Sequence, residues 1–360
     1  MKVCILVSGE KNGVFGRRVR KQCQHAPLLK DATIFYRDDK HKLLDLFLFM
    51  RELIKLRPEL VYIESVSFSC CIAAIATMPI LRFKYIVSTG DSYGQIVKQF
   101  YGFILGCLAG LLEHIAYAAA DIIITRSPDQ KDFLTLKGYR NAFFLNEGVN
   151  IDNFKPFEVN DLKQKLGIAN FLTIGVIGSI VWDKRNNFCY GWEIIQVVNM
   201  LKEKPVKGLI VGGGNGLEKL KKIAQSYGLS DRIIFTGKIA HEQIPSYINC
   251  MDVCFSTQSN NMAGEMRIPT KLEEYLACGK FVISTDVGYA KTVLRDAGFL
   301  IPYKGVRDDS YPAKAAKVIE AILSDRSILE RGKLGINIAK DKFSFEKLSL
   351  QLEEIIYNNL

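Results

Sequence analysis

Short apolar runs alternate along the whole chain with stretches in which apolar residues recur every three or four positions. In the N-terminal half the runs are VCILVSG, ELVYIES, KYIVSTG and DIIITRS; in the C-terminal half they are FLTIGVIGS, KGLIVGGG, RIIFTGK, DVCFST and KFVIST. Runs this short and this continuous suit strands buried on both faces, and the helical patterns between them supply the crossovers that parallel strands need. An α/β chain of two doubly wound halves is therefore predicted. The runs of the second half end in Gly, Ser, Thr or a lysine after Gly, so small and hydroxyl residues sit at the carboxyl edge where ligands meet such sheets.

Between the halves lies LNEGVNIDNFKPFEV, residues 145–159, rich in Asn, Gly and Pro and lacking either period. It is read as the linker, with a first domain over 1–150 and a second over 151–340. Residues 341–360 carry apolar positions at helical spacing and are predicted as a last helix returning to the first domain.

The densest local signal is GEMRIPTKLEEYLACGKFVIST, residues 264–285. Pro269 suits the first turn of a helix, where its missing N–H costs nothing, and Gly279 suits the left-handed position that ends one. Leu272, Tyr275 and Leu276 recur at helical spacing and are expected to face the core, leaving Glu273 and Glu274 toward the other side. Such a helix start attracts a diphosphate, and a carboxylate on its next turn can accept hydrogen bonds from both hydroxyls of a ribose.

Composition narrows the partner. A chain of 360 residues exceeds what one core usually supports, which agrees with two domains. The net charge of +10 points to an anionic partner: a nucleotide diphosphate, an anionic lipid surface or a nucleic acid. Nucleic acid ranks last, because the basic residues are scattered and no RNA- or DNA-binding motif occurs. Nine cysteines without a C-x-x-C pair suggest neither a disulfide framework nor a zinc site, and a reducing cytoplasm fits them. The start MKVCILVSGE reads as a first strand and not as a signal peptide. The apolar stretches 66–81 and 99–125 are too short or are broken by Glu113, His114 and Asp121, so neither reads as a membrane span. The four histidines, His25, His41, His114 and His241, have no metal-ligand spacing and are read as structural.

Taken together, the two doubly wound halves, the linker NEGVNIDNFKP, the turn VGGGNG and the helix PTKLEEYLACGK resemble GT-B glycosyltransferases of the family 4, or group 1, type. The resemblance covers most of the chain and is strongest from Asn146 to Gly288. It implies two Rossmann-like domains facing a cleft, the first binding an acceptor and the second a nucleotide diphosphate sugar. It also implies transfer with retention of anomeric configuration, without metal and without a cofactor beyond the sugar nucleotide itself. The chain contains no D-x-D triplet of the kind that carries a cation in metal-dependent transferases.

Carried over residue by residue, the resemblance assigns Lys184 and Arg185, in the loop GSIVWDKRN, to the leaving diphosphate, whose growing charge fixed cations stabilise. It assigns Glu274 to the ribose hydroxyls, with Glu273 as a surface neighbour. The family's E-x7-E spacing falls on Met266 at its first position, and Glu265 lies one place early. Either Glu265 reaches the sugar through a one-residue shift, or loop backbone holds the sugar and Glu265 is a plain exposed loop residue. Pro269, Thr270 and Lys271 at the helix start are candidates for the donor's phosphates, although Lys271 can equally pair along the helix with Glu274. Gly213 and Gly214, beside Gly212, lie where the family passes close to base and ribose; backbone geometry alone also explains glycines there.

In the first domain, SGEKNGVFGRR offers Gly13 and Gly16 for close approach of a phosphate or acceptor, or else for a structural turn, and Arg17 and Arg18 for an anionic acceptor or simply to cover a helix. Relatives carry a histidine after a middle strand, where this chain reads VSTGDSYG; Asp91 is the available substitute, to orient the acceptor hydroxyl or take its proton, or else to cap a helix. Glu64 is a second strand-end carboxylate of the same kind. The small-residue, apolar segment QFYGFILGCLAGLLEHIAYAAADIIITRS is where relatives with lipid-linked acceptors often attach to the cytoplasmic membrane face, although a buried helix of the doubly wound domain also explains most of it. The expected activity is transfer of a hexose to a hydroxyl of a glycan or lipid-linked acceptor in cell-surface polysaccharide biosynthesis. A non-hydrolysing nucleotide-sugar epimerase and a non-catalytic binding relative are the alternatives.

Overall fold

The structure is a computed structural model that describes residues 1–37, 41–267 and 269–360, without the side chains of Gln99 and Phe100. It divides into two units. The first holds Met1–Gly148, Met266 with Arg267, and Ser344–Leu360; the second holds Val149–Glu265 and Pro269–Phe343.

The first unit is built on strands β1 (Val3–Val7), β2 (Thr33–Tyr36), β3 (Leu60–Glu64), β4 (Lys84–Thr89), β5 (Ile122–Thr125) and β6 (Ala142–Phe144), in the order β2-β1-β3-β4-β5-β6. Every pairing is parallel. Strands β1, β3 and β5 are buried at every position, as their unbroken apolar runs predict. The helices Lys42–Leu56, Phe68–Leu81 and Phe103–Ala119 pack on one face of this sheet, and the helices Val14–His25 and Phe345–Asn359 on the other. Leu348, Leu352 and Ile356 carry the last helix into that second layer, and Glu353 accepts the N–H of Leu28. The strand order reverses between β1 and β3, which makes their carboxyl ends a topological switch point.

The second unit contains β7 (Leu172–Ile177), β8 (Val206–Val211), β9 (Ile233–Phe235), β10 (Val253–Ser256), β11 (Phe281–Thr285) and β12 (Gly298–Ile301), ordered β12-β11-β10-β7-β8-β9 and again all parallel. Its switch point lies between β7 and β10. The helices Trp192–Met200 and Tyr311–Ser324 close one apolar core over this sheet.

The two doubly wound halves agree with the expectation. Three strands escaped the apolar-run reading: TIFY, AFF and GFLI are short edge strands, only partly buried, so their sequences need not be continuously apolar. No helix among the described residues is long and apolar enough to cross a membrane.

Candidate functional site

In the second unit the site grows from the carboxyl ends of β7 and β10. The N–H of Ile177, the last residue of β7, donates to the hydroxyl of Tyr275 at 2.8 Å, which ties the strand end to the helix Thr270–Ala277. After β10, the loop is internally braced: Gln258 Nε2 donates to the Gly264 carbonyl and Asn261 Oδ1 accepts the Gly264 N–H, both at 2.9 Å. The approach to the helix is thus fixed by its own polar groups.

Pro269 is the N-cap of this helix, one residue outside the first turn where sequence placed it, and it offers no side-chain cap. Thr270 is the first helical residue and is exposed. Gly279 ends the helix at φ +64°, the left-handed conformation expected of it. Leu272, Tyr275 and Leu276 are buried as predicted. Glu273 corrects the expectation: it is 1% exposed and not a surface residue. The helix is covered on more than one side, by β10 and β11 and by the helix Leu334–Lys342, so its perimeter leaves no wide polar face.

Glu274 is the carboxylate that stays partly open, with 17% of its side chain exposed. Its Oε1 lies 3.5 Å from Nε2 of His241, and the His241 ring meets Phe154 edge-on. His241 is expected from sequence to be structural, and nothing local signals its pairing with Glu274, which two distant segments create. Lys271 lies with its ammonium 5.1 Å from the Tyr190 ring centroid. It also faces Glu193, a fully buried carboxyl that burial pushes up from its ordinary range while Lys271 pulls it back.

The loop after β7 is preformed. Asp183 accepts the N–H groups of Arg185 and Asn186 at 2.9 and 3.1 Å, and bridges by backbone to Phe188, which leaves Lys184 and Arg185 exposed at the turn. Behind it runs the turn after β8. Gly212 and Gly214 have φ of +142° and +150°, and a Cβ on them would lie 1.8 Å from the Gly178 carbonyl oxygen and 2.2 Å from that of Ile180. Gly213 is less tightly confined, with Lys238 3.2 Å from its notional Cβ. Backbone apposition of the two loops accounts for Gly212 and Gly214.

Glu265 is neither a plain exposed loop residue nor open toward solvent alone. Its Oε2 accepts the Gly288 N–H at 2.7 Å and lies 3.3 Å from Lys291 Nζ, so it ties the loop after β10 to the loop after β11.

In the first unit, Gly13 is the N-cap of the helix Val14–His25 and Gly16 lies where a Cβ would meet the carbonyls of Lys11 and Glu10 at 2.4 and 2.5 Å. The Arg17 guanidinium donates to the Asn12 carbonyl, bracing the same loop. Arg18 departs from its expected role: it is buried between Glu64 and Glu147. Glu64 also accepts from Arg126 Nη2 at 3.2 Å and from the Tyr62 hydroxyl at 3.0 Å, and Arg126 donates to Ser88 Oγ at 2.7 Å. Burial alone would lift the Glu64 carboxyl, but Arg126 and Arg18 overcome it and hold it below the usual carboxylate range. Glu64 belongs to this network and not to an open acceptor surface.

Asp91 sits after β4 with 40% of its side chain exposed and Oδ1 3.5 Å from Nη1 of Arg267. It does not cap the following helix, Tyr93–Tyr101, whose N-cap is Ser92. The carboxylate of Glu113 does so from the next helix, accepting the N–H groups of Tyr93 at 3.0 Å and Gly94 at 3.2 Å. Met266, where the family's spacing calls for an acid, is buried in this unit, and its carbonyl accepts from Ser127 Oγ.

Comparison with known proteins adds to this geometry. A profile of the family described as "Glycosyl transferases group 1" matches residues 162–340, the span that carries the switch point of the second unit. An uncharacterized glycosyltransferase of Methanocaldococcus jannaschii is 23% identical over 285 residues, covering 76% of this chain and 69% of that protein. The α-monoglucosyldiacylglycerol synthase of Streptococcus pneumoniae is 26% identical over 221 residues, 59% of this chain and 47% of that protein. Among solved structures, Anabaena HepE in complex with UDP-glucose superimposes with a TM-score of 0.77 at 16% identity, over 99% of this chain and all of that one. Sucrose-phosphate synthase from Thermosynechococcus elongatus does so with 0.76 at 18% identity, over 99% of each. The architecture of two six-stranded parallel sheets is therefore that of the GT-B enzymes.

Proposed function

This chain belongs to the group 1 glycosyltransferases, and from that premise we propose that it is a retaining, metal-independent hexosyltransferase acting from a nucleotide diphosphate sugar. The observation that carries the reading is the placement of Glu274, partly open, on a helix pinned to the end of β7 by the bond between Ile177 and Tyr275. Ligands of open parallel sheets bind beyond such a switch point. In this reading Glu274 holds the ribose hydroxyls. Thr270, Lys271 and the start of their helix receive the diphosphate, and Lys184 and Arg185 stabilise the charge that grows on it as the glycosidic bond breaks. Fixed cations supply what a metal would otherwise provide. The UDP-glucose held by the structurally similar HepE makes UDP-sugars the first donors to try.

The acceptor is a hydroxyl of a glycan or lipid-linked molecule, bound on the first unit, with Asp91 to orient it or take its proton. A second feature of that unit supports a place at the cytoplasmic membrane face and, with it, a role in cell-surface polysaccharide assembly. Leu43, Leu44 and Phe47 of one helix and Ile104, Leu108 and Leu111 of another are exposed on helices that share one face of the sheet, with Lys42, Lys55 and Lys98 close by in sequence. Apolar helical surface flanked by cations suits an anionic bilayer.

Incubation with labelled nucleotide sugars tests the reading. Free nucleotide released only when acceptor is present supports transfer; an altered donor sugar without acceptor, or no reaction with any donor, refutes it.

A further inference from the structure

On the first unit a cavity of about 300 Å³ opens between the helices Phe103–Ala119 and Pro128–Leu136, walled by Gly110, Tyr117, Phe133 and Leu134. Most of its polar groups are already engaged; Lys137 also lines it, its ammonium 5.6 Å from the Phe133 ring centroid. The Glu113 carboxylate receives two backbone N–H groups and the Tyr117 hydroxyl, and His114 Nδ1 is hydrogen-bonded to the Tyr139 hydroxyl. Burial also pushes the Glu113 carboxyl up, which favours its neutral form. A guest that enters therefore meets chiefly apolar surface and few groups in need of a partner.

The cavity has a direction. His114, at its rim, is exposed, and Leu111 lies three residues before it and Ile115 directly after it on the same helix, both exposed. From there the apolar surface continues along the helix through Leu108, Leu105 and Ile104. Elsewhere in its lining the cavity reaches Ser92, the neighbour of Asp91. We propose that this cavity receives the hydrocarbon chain of a membrane-resident acceptor, the chain entering from the exposed helical face and the polar head lying toward Asp91. The inference rests on the reading of the first unit as the acceptor side and narrows its acceptor to an amphiphile.

Gly110 gives a clean test. A Cβ built on it meets no atom within 4 Å, so a larger side chain there projects into open space, and replacing a helix-interior glycine raises helix propensity. Binding of a dansyl-labelled fatty alcohol, followed by fluorescence, is expected to be saturable in the unaltered protein and at least tenfold weaker in Gly110→Leu. Gly110→Ala is expected to fall between them, which guards against a folding defect in the larger variant. Equal binding by all three proteins, or no saturable binding by the unaltered one, overturns the proposal. Titration with UDP on the same proteins reads the second unit alone. Absence of binding of UDP, and of GDP and ADP titrated in the same way, in the unaltered protein would refute the glycosyl-transfer reading, whereas nucleotide binding with no chain binding refutes only the cavity.

Discussion

His241 and Glu274 face each other in the second unit, imidazole Nε2 to carboxylate Oε1 at 3.5 Å, on a short 3₁₀ turn and on the helix that begins at Thr270. A carboxylate held from one side presents its remaining lone pairs in a defined direction. Glu274→Ala is expected to weaken UDP binding about tenfold or more, because hydrogen bonds to a charged group contribute about 1.5–3 kcal/mol. His241→Ala should weaken it less, and His241→Gln less again. Isothermal titration decides this, and an unchanged dissociation constant in Glu274→Ala would remove the ribose assignment.

Lys184 and Arg185 are exposed on a turn whose shape Asp183 sets through backbone N–H groups, so their side chains hold up little of the fold. The double substitution to Ala should leave the melting temperature unchanged. If they stabilise the leaving diphosphate, kcat should drop by roughly 10²–10³-fold, the usual range for losing a group aimed at developing charge. A fall in thermal stability without a specific fall in kcat would contradict both statements.

Gly214 has a conformational duty separable from any ligand. A methyl there meets the Ile180 carbonyl oxygen at 2.2 Å and sits at φ +150°. Gly214→Ala should cost about 1–3 kcal/mol or more in urea melts. Gly110→Ala, with nothing within 4 Å of its Cβ, should not destabilise. Comparable stability of the two variants would show that the loops after β7 and β8 are looser than described.

The buried network of the first unit predicts a pH dependence. Glu64 is held below the usual carboxylate range, so the native state binds fewer protons there than the unfolded chain. Its contribution is present above the ordinary carboxylate pKa and is lost as pH falls through the depressed value. Glu64→Gln should lower stability near neutrality by about 3–5 kcal/mol, because it leaves Arg18 and Arg126 undercompensated, and should flatten the acid limb of the stability curve. Thermal melts across an acid-to-neutral series measure both effects.

Leu108 and Leu111 test the membrane reading. Replacing both with Glu adds charge at exposed positions, so folding should be kept while co-sedimentation with anionic vesicles is lost. Retained sedimentation would place the contact elsewhere.

What could be read from sequence was what repeats locally. The apolar runs gave the buried strands, and Pro269, Gly279 and the spacing of Leu272, Tyr275 and Leu276 gave the helix, because caps and periodicity act within a few residues. The side chains around them were harder. Glu273 follows helical spacing onto an outer face that the helix Leu334–Lys342 and two strands leave no room for. Glu265 finds Gly288 and Lys291, Glu113 caps a helix other than its own, and Arg18 pairs with Glu64 and Glu147. Strand order brings the Glu265 and Arg18 partners together, and the packing of two consecutive helices brings Glu113 to Tyr93 and Gly94; no local pattern marks any of them.

The pairing of Arg18 and Arg126 with Glu64 and Glu147 also settles where the molecule keeps its electrical imbalance. Two positive and two negative side chains cancel inside the first sheet's carboxyl edge, so setting them aside leaves 46 basic against 36 acidic residues and the same excess of ten. Counterions and polyanions approaching this protein therefore respond to lysines and arginines that lie outside that sealed quartet.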